Sequence, residues 1–160
     1  MSKRNPEDAK HAVKKEVEVL NKERTALKRG KEDAKEWVEK AIAFYKHSGK
    51  RIALAEYSNP KGPFVQDEMY LFVLNPFGTM LAHGVNERFV GEDFIDLKDS
   101  DGKSFIKEII NTSKTKGSGW VVYKWSHPET KEIVPKTVYF KNVDDLIICS
   151  GVYNAIRGNM

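Results

Sequence analysis

Residues 118–140, SGWVVYKWSHPETKEIVPKTVYF, decide the predicted fold of this 160-residue chain. Two runs rich in β-branched and aromatic residues, 119–125 and 132–140, flank a polar turn, which is the pattern of a β-hairpin. Side chains alternate between the two faces of a strand, so Trp120 and Tyr123 point to opposite faces. Both faces hold large aromatic residues. This pattern suits either a packed core or the wall of a pocket, and the residues alone leave both interpretations open.

Three more strands extend the hairpin into a sheet. Residues 68–75 and 79–84 flank Asn75-Pro76-Phe77-Gly78, which suits a type I turn, and residues 145–153 form the last predicted strand. Successive strands separated by short turns imply an antiparallel sheet. We therefore predict an α+β domain with about five strands and with its helices mainly on one side of the sheet.

Helices are predicted at the N-terminus and at two later positions. Asn5 suits an N-cap, with Pro6 as the first helical residue. The segment then carries an apolar stripe at helical spacing, formed by Val13, Val17, Leu20 and Leu27. Gly30 interrupts this pattern and residues 31–48 resume it, so the segment is either one long helix with a weak point or two helices. The other predicted segments are two short helices, residues 51–58 and 102–117, and a long polar loop, residues 84–101.

Composition places the chain among globular proteins and argues against nucleic-acid binding. Hydrophobic residues make up 40% of the chain and charged residues 31%. The net charge of +4 comes from residues 1–48, which carry 13 Lys/Arg and 9 Asp/Glu, whereas residues 49–160 carry 14 of each. An excess confined to a mixed-charge helical segment is typical of a solvated helix surface. No apolar run reaches the ~20 residues of a membrane helix, and the N-terminus has no hydrophobic signal core.

Metal-binding patterns are weak in this sequence. The chain has four histidines, and no two of them have the spacing of metal ligands. They are His11, His47, His83 and His127. The loop DLKDSDGKSFIKE matches a calcium loop at Asp99, Asp101, Gly102 and Glu108. Its first position would be Leu97, which has no ligand oxygen. We therefore expect the aspartates to cap the following helix, and we predict no metal site.

Catalytic motifs are likewise absent from the sequence. There is no G-x-S-x-G elbow, no phosphate-binding glycine loop and no H-E-x-x-H motif. The single cysteine, Cys149, lies in the apolar run LIICSGVY and is predicted to be a small buried side chain. We expect no cofactor and assign no catalytic residue.

Residues 34–154 resemble a known family of sensor modules. The matching segments, in order, include WVEKAIAFYKHSGKRIALAE, NPKGPF, YLFVLNPFGTMLAH, DLKDSDGK, GSGWVVYKWSHPETKEIVPKTVYF and DDLIICSGVYN. They are similar to the single Cache domains of the second type, the extracytoplasmic sensors of chemoreceptors and histidine kinases. The resemblance implies a PAS-like antiparallel sheet, with a long N-terminal helix across one face and a ligand cavity on the other. We assign residues 34–160 to a free-standing version of this domain and residues 1–33 to an amphipathic helical extension.

The resemblance also implies what the cavity binds. Ligands of the family are small organic molecules, often short carboxylates, and the module does no chemistry on them. A desolvated carboxylate needs charge-assisted donors, and Lys136, in the matching PKTVY motif, is the cation expected to supply them. His83 matches the family's AH motif at the rim. The predicted ligand-binding residues are Tyr70, Phe72, His83, Trp120, Tyr123, Trp125, Lys136 and Tyr139.

Several alternatives stay open. Lys136 could be a surface lysine at a sheet edge, because the adjacent Pro135 cannot donate to a strand ladder. Alternation also means that either Trp120 or Tyr123 belongs to the core. An enzyme could use the same cavity, with His83 as its acid or base. The apolar stripe of the N-terminal helix could form a homodimer with a second copy or pack within one chain.

Overall fold

The computed structural model describes residues 5–154 and confirms the predicted α+β class. The helices are α1 Pro6–Ser48, α2 Lys50–Tyr57 and α3 Phe105–Lys116, with a 3-10 turn at Glu87–Phe89. The strands are β1 Leu71–Leu74, β2 Met80–His83, β3 Ser118–Ser126, β4 Ile133–Val143 and β5 Leu146–Tyr153. Residues 1–4 of the predicted extension and 155–160 of the predicted domain lie outside the described residues. No helix within residues 5–154 combines the length and the apolar composition needed to cross a membrane.

One antiparallel sheet contains all five of these strands, in the order β2-β1-β5-β4-β3. Each predicted strand is confirmed. The predicted turn joins β1 to β2, and the Gly78 N–H donates to the Asn75 carbonyl oxygen at 3.1 Å. The last strand, β5, lies at the centre of the sheet between β1 and β4. Residues that are far apart in sequence therefore become neighbours across β5.

The N-terminal segment is a single helix, α1, rather than two. Asn5 caps it as predicted, because the Asn5 side-chain oxygen accepts the Glu7 N–H at 3.0 Å. Gly30 lies inside this helix without ending it. A Cβ atom at Gly30 would lie 2.3 Å from Cγ2 of Val152 on β5. Gly30 therefore lets the helix backbone approach the sheet closely, and the predicted weak point is a packing contact.

Each face of the sheet carries its own hydrophobic core. The C-terminal half of α1 and helix α2 cover the first face, where Val38 and Ala41 belong to the same cluster as Leu71 and Ile148. Helix α3 and the loop between β2 and α3 cover the second face. The long N-terminal helix therefore lies on the first face of the sheet. The second face remains for the cavity that the resemblance predicts.

The loop between β2 and α3, which the sequence predicted to be polar, buries several apolar side chains. Four of its apolar side chains are partly buried against the core of the second face, and they are Phe89, Phe94, Ile95 and Leu97. Burying these side chains removes apolar surface from water and holds the loop against the sheet. The loop is therefore a cover for the second face.

Asp99 fastens this cover to the edge strand β3. Its Oδ1 accepts the N–H groups of Asp101 at 3.0 Å and Lys103 at 2.9 Å, and its Oδ2 accepts the Lys124 N–H at 3.0 Å. These bonds hold the pKa of Asp99 below its ordinary value, the bond from Lys124 most strongly. The predicted capping of α3 is wrong, because this helix begins after Ser104 without a side-chain cap.

Candidate functional site

A small cavity lies on the second face of the sheet, next to α3 and the covering loop. It has room for about one water molecule. Its walls are mostly aromatic and aliphatic, and four of the lining residues, Tyr70, His83, Tyr123 and Lys136, also carry a polar group. The lining residues are Tyr70, Phe72, Met80, His83, Phe94, Leu97, Phe105, Ile106, Tyr123, Trp125 and Lys136.

Six of the eight predicted ligand-binding residues meet at this cavity. They are Tyr70, Phe72, His83, Tyr123, Trp125 and Lys136. Strand register explains part of this grouping, because Lys136 on β4 pairs with Tyr123 on β3 and with Tyr153 on β5. The structure thus gathers these side chains in one place, while their role in binding stays a prediction.

Trp120 and Tyr139 lie on the opposite face of the sheet, contrary to the prediction. Their ring centroids are 5.0 Å apart, and Tyr139 belongs to the core beneath α1. The Nζ of Lys31 on α1 lies 4.8 Å from the Trp120 ring. Each of the two residues is three positions along its strand from a cavity residue, Tyr123 or Lys136, so strand alternation turns it away from the cavity.

Lys136 places a positive charge inside this cavity. Its side chain is almost fully buried, with 1% of the residue exposed. Its Nζ donates to the Tyr70 hydroxyl at 2.9 Å and lies 4.2 Å from the Tyr70 ring centroid and 5.3 Å from that of Phe72. Within residues 5–154, no carboxylate forms an ion pair with Lys136. Aromatic rings offset only part of the cost of burying an ammonium group, so the cavity favours an added negative charge.

His83 contributes a neutral ring to the same cavity. Its Nδ1 accepts the N–H groups of Val85 at 3.2 Å and Asn86 at 2.9 Å, which places the ring proton on Nε2. Burial, and then the charge of Lys136, lower the pKa of His83 to about 3. The ring is therefore a hydrogen-bond donor at neutral pH. A general base for an enzyme needs a pKa nearer the working pH, so this value does not favour the enzyme alternative.

Sequence reasoning missed five lining residues, of which Met80 lies on β2 and the other four come from the covering loop and α3. Phe94 and Leu97 come from the loop, and Phe105 and Ile106 come from the first turn of α3. Phe105 stacks on Tyr123, with ring centroids 3.9 Å apart and planes within 10° of parallel. The apolar residues of this loop could have indicated its role. Two phenylalanines and a leucine are unusual in a loop exposed to solvent, so they indicate that the loop packs against the core.

Burial keeps the hydroxyl of Tyr123 and the thiol of Cys149, both close to the cavity, in their uncharged forms. Desolvation raises the pKa of the Tyr123 hydroxyl well above its ordinary value. It also raises the pKa of Cys149, which is fully buried as predicted. A buried thiol of this kind does not form the thiolate that nucleophilic catalysis requires. The described part of the chain also contains no group of three or more His, Cys, Asp and Glu side chains that could hold a metal ion.

A second and larger cleft, of about 580 Å³, lies between α1 and the β3–β4 hairpin. Leu20 and Leu27 of α1 line it, together with His127, Val134 and Tyr153. Its histidine is already engaged, because the Nε2 of His127 lies 2.7 Å from the Oε2 of Glu68. The smaller cavity is the better candidate site, because it alone of the two is lined by the buried charge of Lys136.

Comparison with known proteins assigns the fold to a family. A family model described as single Cache domain 2 matches residues 1–156. The chain belongs to the single Cache domain 2 family. The match includes the helical segment 1–33. The predicted boundary between this segment and the sensor domain, at residue 34, lies inside α1 and stays a prediction.

Relatives of this Cache domain include receptors and solved sensor domains. The sensor histidine kinase MctS of Rhizobium johnstonii is 34% identical over 86 residues, which are 52% of this chain and 18% of that protein. The chain thus spans less than a fifth of the length of the curated relatives it matches. A structure titled as the basis for carboxylic acid recognition by a Cache chemosensory domain is 26% identical, with a TM-score of 0.61, and covers 95% of this chain and 100% of that one.

A chemotaxis receptor supports the same fold at lower identity. The structure of a methyl-accepting chemotaxis protein from Vibrio parahaemolyticus has a TM-score of 0.71 and 20% identity, covering 85% of this chain and 96% of that one. This likeness confirms the PAS-like arrangement of one long helix and a five-stranded antiparallel sheet. The Cache fold, taken with these relatives, supports a ligand-binding sensor.

Proposed function

We propose that this Cache domain senses a small organic acid, which it binds at Lys136 without changing it chemically. The observation that carries the proposal is the buried ammonium group, which has no ion-pair partner among residues 5–154. A carboxylate would neutralise this charge and accept its remaining N–H groups. The similarity to a Cache chemosensory domain described as recognising a carboxylic acid supports the same ligand class.

The other walls of the cavity suit the rest of such a ligand. Lys136 has three N–H donors, of which Tyr70 accepts one, and the Nε2–H of His83 is a further donor at the cavity. Phe72, Phe94 and Trp125 offer apolar surface to a short hydrocarbon group. Because the cavity is small, binding requires its lining side chains to move apart, and large acids are disfavoured.

Short carboxylates should raise the melting temperature of the protein, and their amides should not. At about 100 times the dissociation constant, binding adds ~2.7 kcal/mol of stability, which corresponds to a rise of about 5–10 °C. A thermal-shift titration would compare acetate and propionate with acetamide and propionamide, which match them in size but carry no charge. Equal shifts from the acids and the amides would contradict the proposal. The absence of a shift from every acid at about 10–50 mM would contradict it as well.

The domain works outside the cytoplasm in this proposal, and as part of a signalling system. Two findings support this. The chain belongs to a family of extracytoplasmic sensor domains, and it is similar to part of a sensor histidine kinase. We also assign residues 34–160 to the ligand-sensing unit and residues 1–33 to the helical extension. In this arrangement α1 links the two, because it runs through both.

We infer that the extension forms a weak homodimer. Val13 and Val17 of the apolar stripe on α1 are 63% and 48% exposed, and burying them against a second copy would remove apolar surface from water. Sedimentation velocity should therefore show concentration-dependent association of the full chain. The double variant Val13→Asp/Val17→Asp should sediment as a monomer, while Ile52→Asp, which alters an exposed apolar residue of α2, should associate normally. Monomeric behaviour of the parent protein at high concentration would refute the dimer.

A further inference from the structure

A chain of three polar contacts leads from Lys136 out of the cavity. The Nζ of Lys136 lies 2.9 Å from the Tyr70 hydroxyl, which lies 2.9 Å from the Tyr153 hydroxyl. The Tyr153 hydroxyl in turn lies 3.1 Å from the carbonyl oxygen of Ser126, at the end of β3. Tyr70 lines the cavity, whereas Tyr153 lies beyond it, on the wall of the larger cleft. We name this chain the hydroxyl relay.

The two ends of the hydroxyl relay fix the direction of every proton in it. An ammonium group can only donate, and a carbonyl oxygen can only accept. All three contacts are hydrogen bonds at once only if Tyr153 donates to Ser126 and Tyr70 donates to Tyr153. If Tyr153 donated to Tyr70 instead, two oxygens without a proton between them would face each other at 3.1 Å. The hydroxyl proton of Tyr70 therefore points away from the cavity.

The position of Tyr153 makes this arrangement part of the candidate site. Tyr153 is 6% exposed and pairs with Lys136 in the register of β4 and β5. Its ring centroid lies 5.0 Å from the Nζ of Lys136. An anion beside Lys136 could accept the Tyr70 proton only after the bond between the two tyrosines is broken. The empty cavity thus satisfies the Tyr70 donor internally and competes with a ligand for it.

We propose that Tyr153 is a positioning residue that lowers the affinity of the cavity for anions by holding the Tyr70 hydroxyl proton. This inference rests on the proposed function, because it concerns an acid bound at Lys136. Removing the Tyr153 hydroxyl leaves Tyr70 with a buried donor and no acceptor, which destabilises the empty protein. A bound carboxylate supplies the missing acceptor, so the same change strengthens binding.

The test is a calorimetric titration of the full chain with acetate. Tyr153→Phe keeps the ring and removes the hydroxyl, and it should bind acetate about fivefold more tightly, the effect of one additional hydrogen bond. It should also melt at a lower temperature than the parent. Tyr57→Phe is the matched control, because the Tyr57 hydroxyl is buried on the other face of the sheet and donates to the Ala41 carbonyl oxygen. This control should lose stability and keep its affinity.

A purely structural role for Tyr153 predicts the opposite sign, with affinity and stability falling together, and that result would overturn the inference. Unchanged affinity in Tyr153→Phe would overturn it as well. In a Tyr70→Phe background there is no proton to release, so adding Tyr153→Phe should produce no gain in acetate affinity. A fivefold gain in that background would again overturn the relay.

The ligand-free protein separates this inference from the proposed function. If neither the parent nor the variants bind acetate, the proposed function fails for this probe, and urea unfolding of the empty proteins decides about the relay. The losses from Tyr70→Phe and Tyr153→Phe should then be smaller in combination than their sum, because both remove the same hydrogen bond. Additive losses would overturn the relay on their own.

Discussion

Lys136→Met should weaken acetate binding by roughly 2–3 kcal/mol, the scale of a hydrogen bond to a charged group, without destabilising the fold. Methionine has a similar apolar length, so it fills the space of the lysine stem on β4. The stability of the empty protein should be equal or higher, because the change removes a buried ammonium that has no ion-pair partner among residues 5–154. Calorimetry and urea unfolding measure the two effects separately.

Lys141→Met provides the matched control on the same strand. The Nζ of Lys141 pairs with the Oε1 of Glu39 on α1 at 3.1 Å, on the opposite face of the sheet from the cavity. Its loss removes a partly exposed ion pair, which costs up to about 1 kcal/mol of stability, and it should leave acetate binding unchanged. Parental affinity in Lys136→Met would end the assignment of this lysine and leave only the aromatic walls to hold a ligand.

Gly151→Ala should destabilise the protein by about 1–3 kcal/mol and weaken acetate binding at the same time. A Cβ at Gly151 on β5 would lie 2.6 Å from the carbonyl oxygen of Thr137, a backbone atom that cannot rotate away. It would also lie 3.1 Å from the Cε of Lys136 and push the lysine stem. The missing side chain of Gly151 is therefore what gives Lys136 its place in the cavity.

Gly119→Ala tests whether any strand glycine would respond in this way. A Cβ at Gly119 on β3 would meet Thr112 Cγ2 at 2.9 Å and Phe140 Cζ at 3.0 Å, which are side-chain atoms rather than backbone atoms. Its cost should be smaller than that of Gly151→Ala, because side-chain atoms can relax more than a backbone oxygen and alanine lowers the chain entropy of the unfolded state. Urea unfolding of both variants gives the comparison. Equal stability of Gly151→Ala and the parent protein would contradict the close packing at β5.

Local patterns in the sequence were sufficient for the secondary structure. The runs of β-branched and aromatic residues marked all five strands, and Asn5 with Pro6 marked the start of α1. These signals act over a few residues, since capping and strand alternation depend on near neighbours in the chain. Gly30 shows where they fail, because the reason for that glycine is its contact with Val152 on the last strand.

The candidate site depended more on contacts between distant segments. Alternation separated Trp120 from Tyr123, but which of them faces the cavity is decided by what covers each face of the sheet. Tyr153 escaped sequence reasoning because its place beside Lys136 follows from the central position of β5, which no local pattern specifies. The role of Asp99 escaped for the same reason, since its partner Lys124 is 25 residues away.

The length of α1 has a mechanical consequence. The helix has 43 residues, and the stretch from Pro6 to Gly30 spans about 36 Å at 1.5 Å per residue. Gly30, pressed against β5, is a natural pivot for it. A tilt of about 3° around that pivot displaces the far end by about 2 Å, comparable to the helix shifts of 1–2 Å (roughly) that carry signals across interfaces in other proteins. A rigid helix of this length would act as a lever, so that a small adjustment of β5 would become a displacement of atomic size at the Pro6 end.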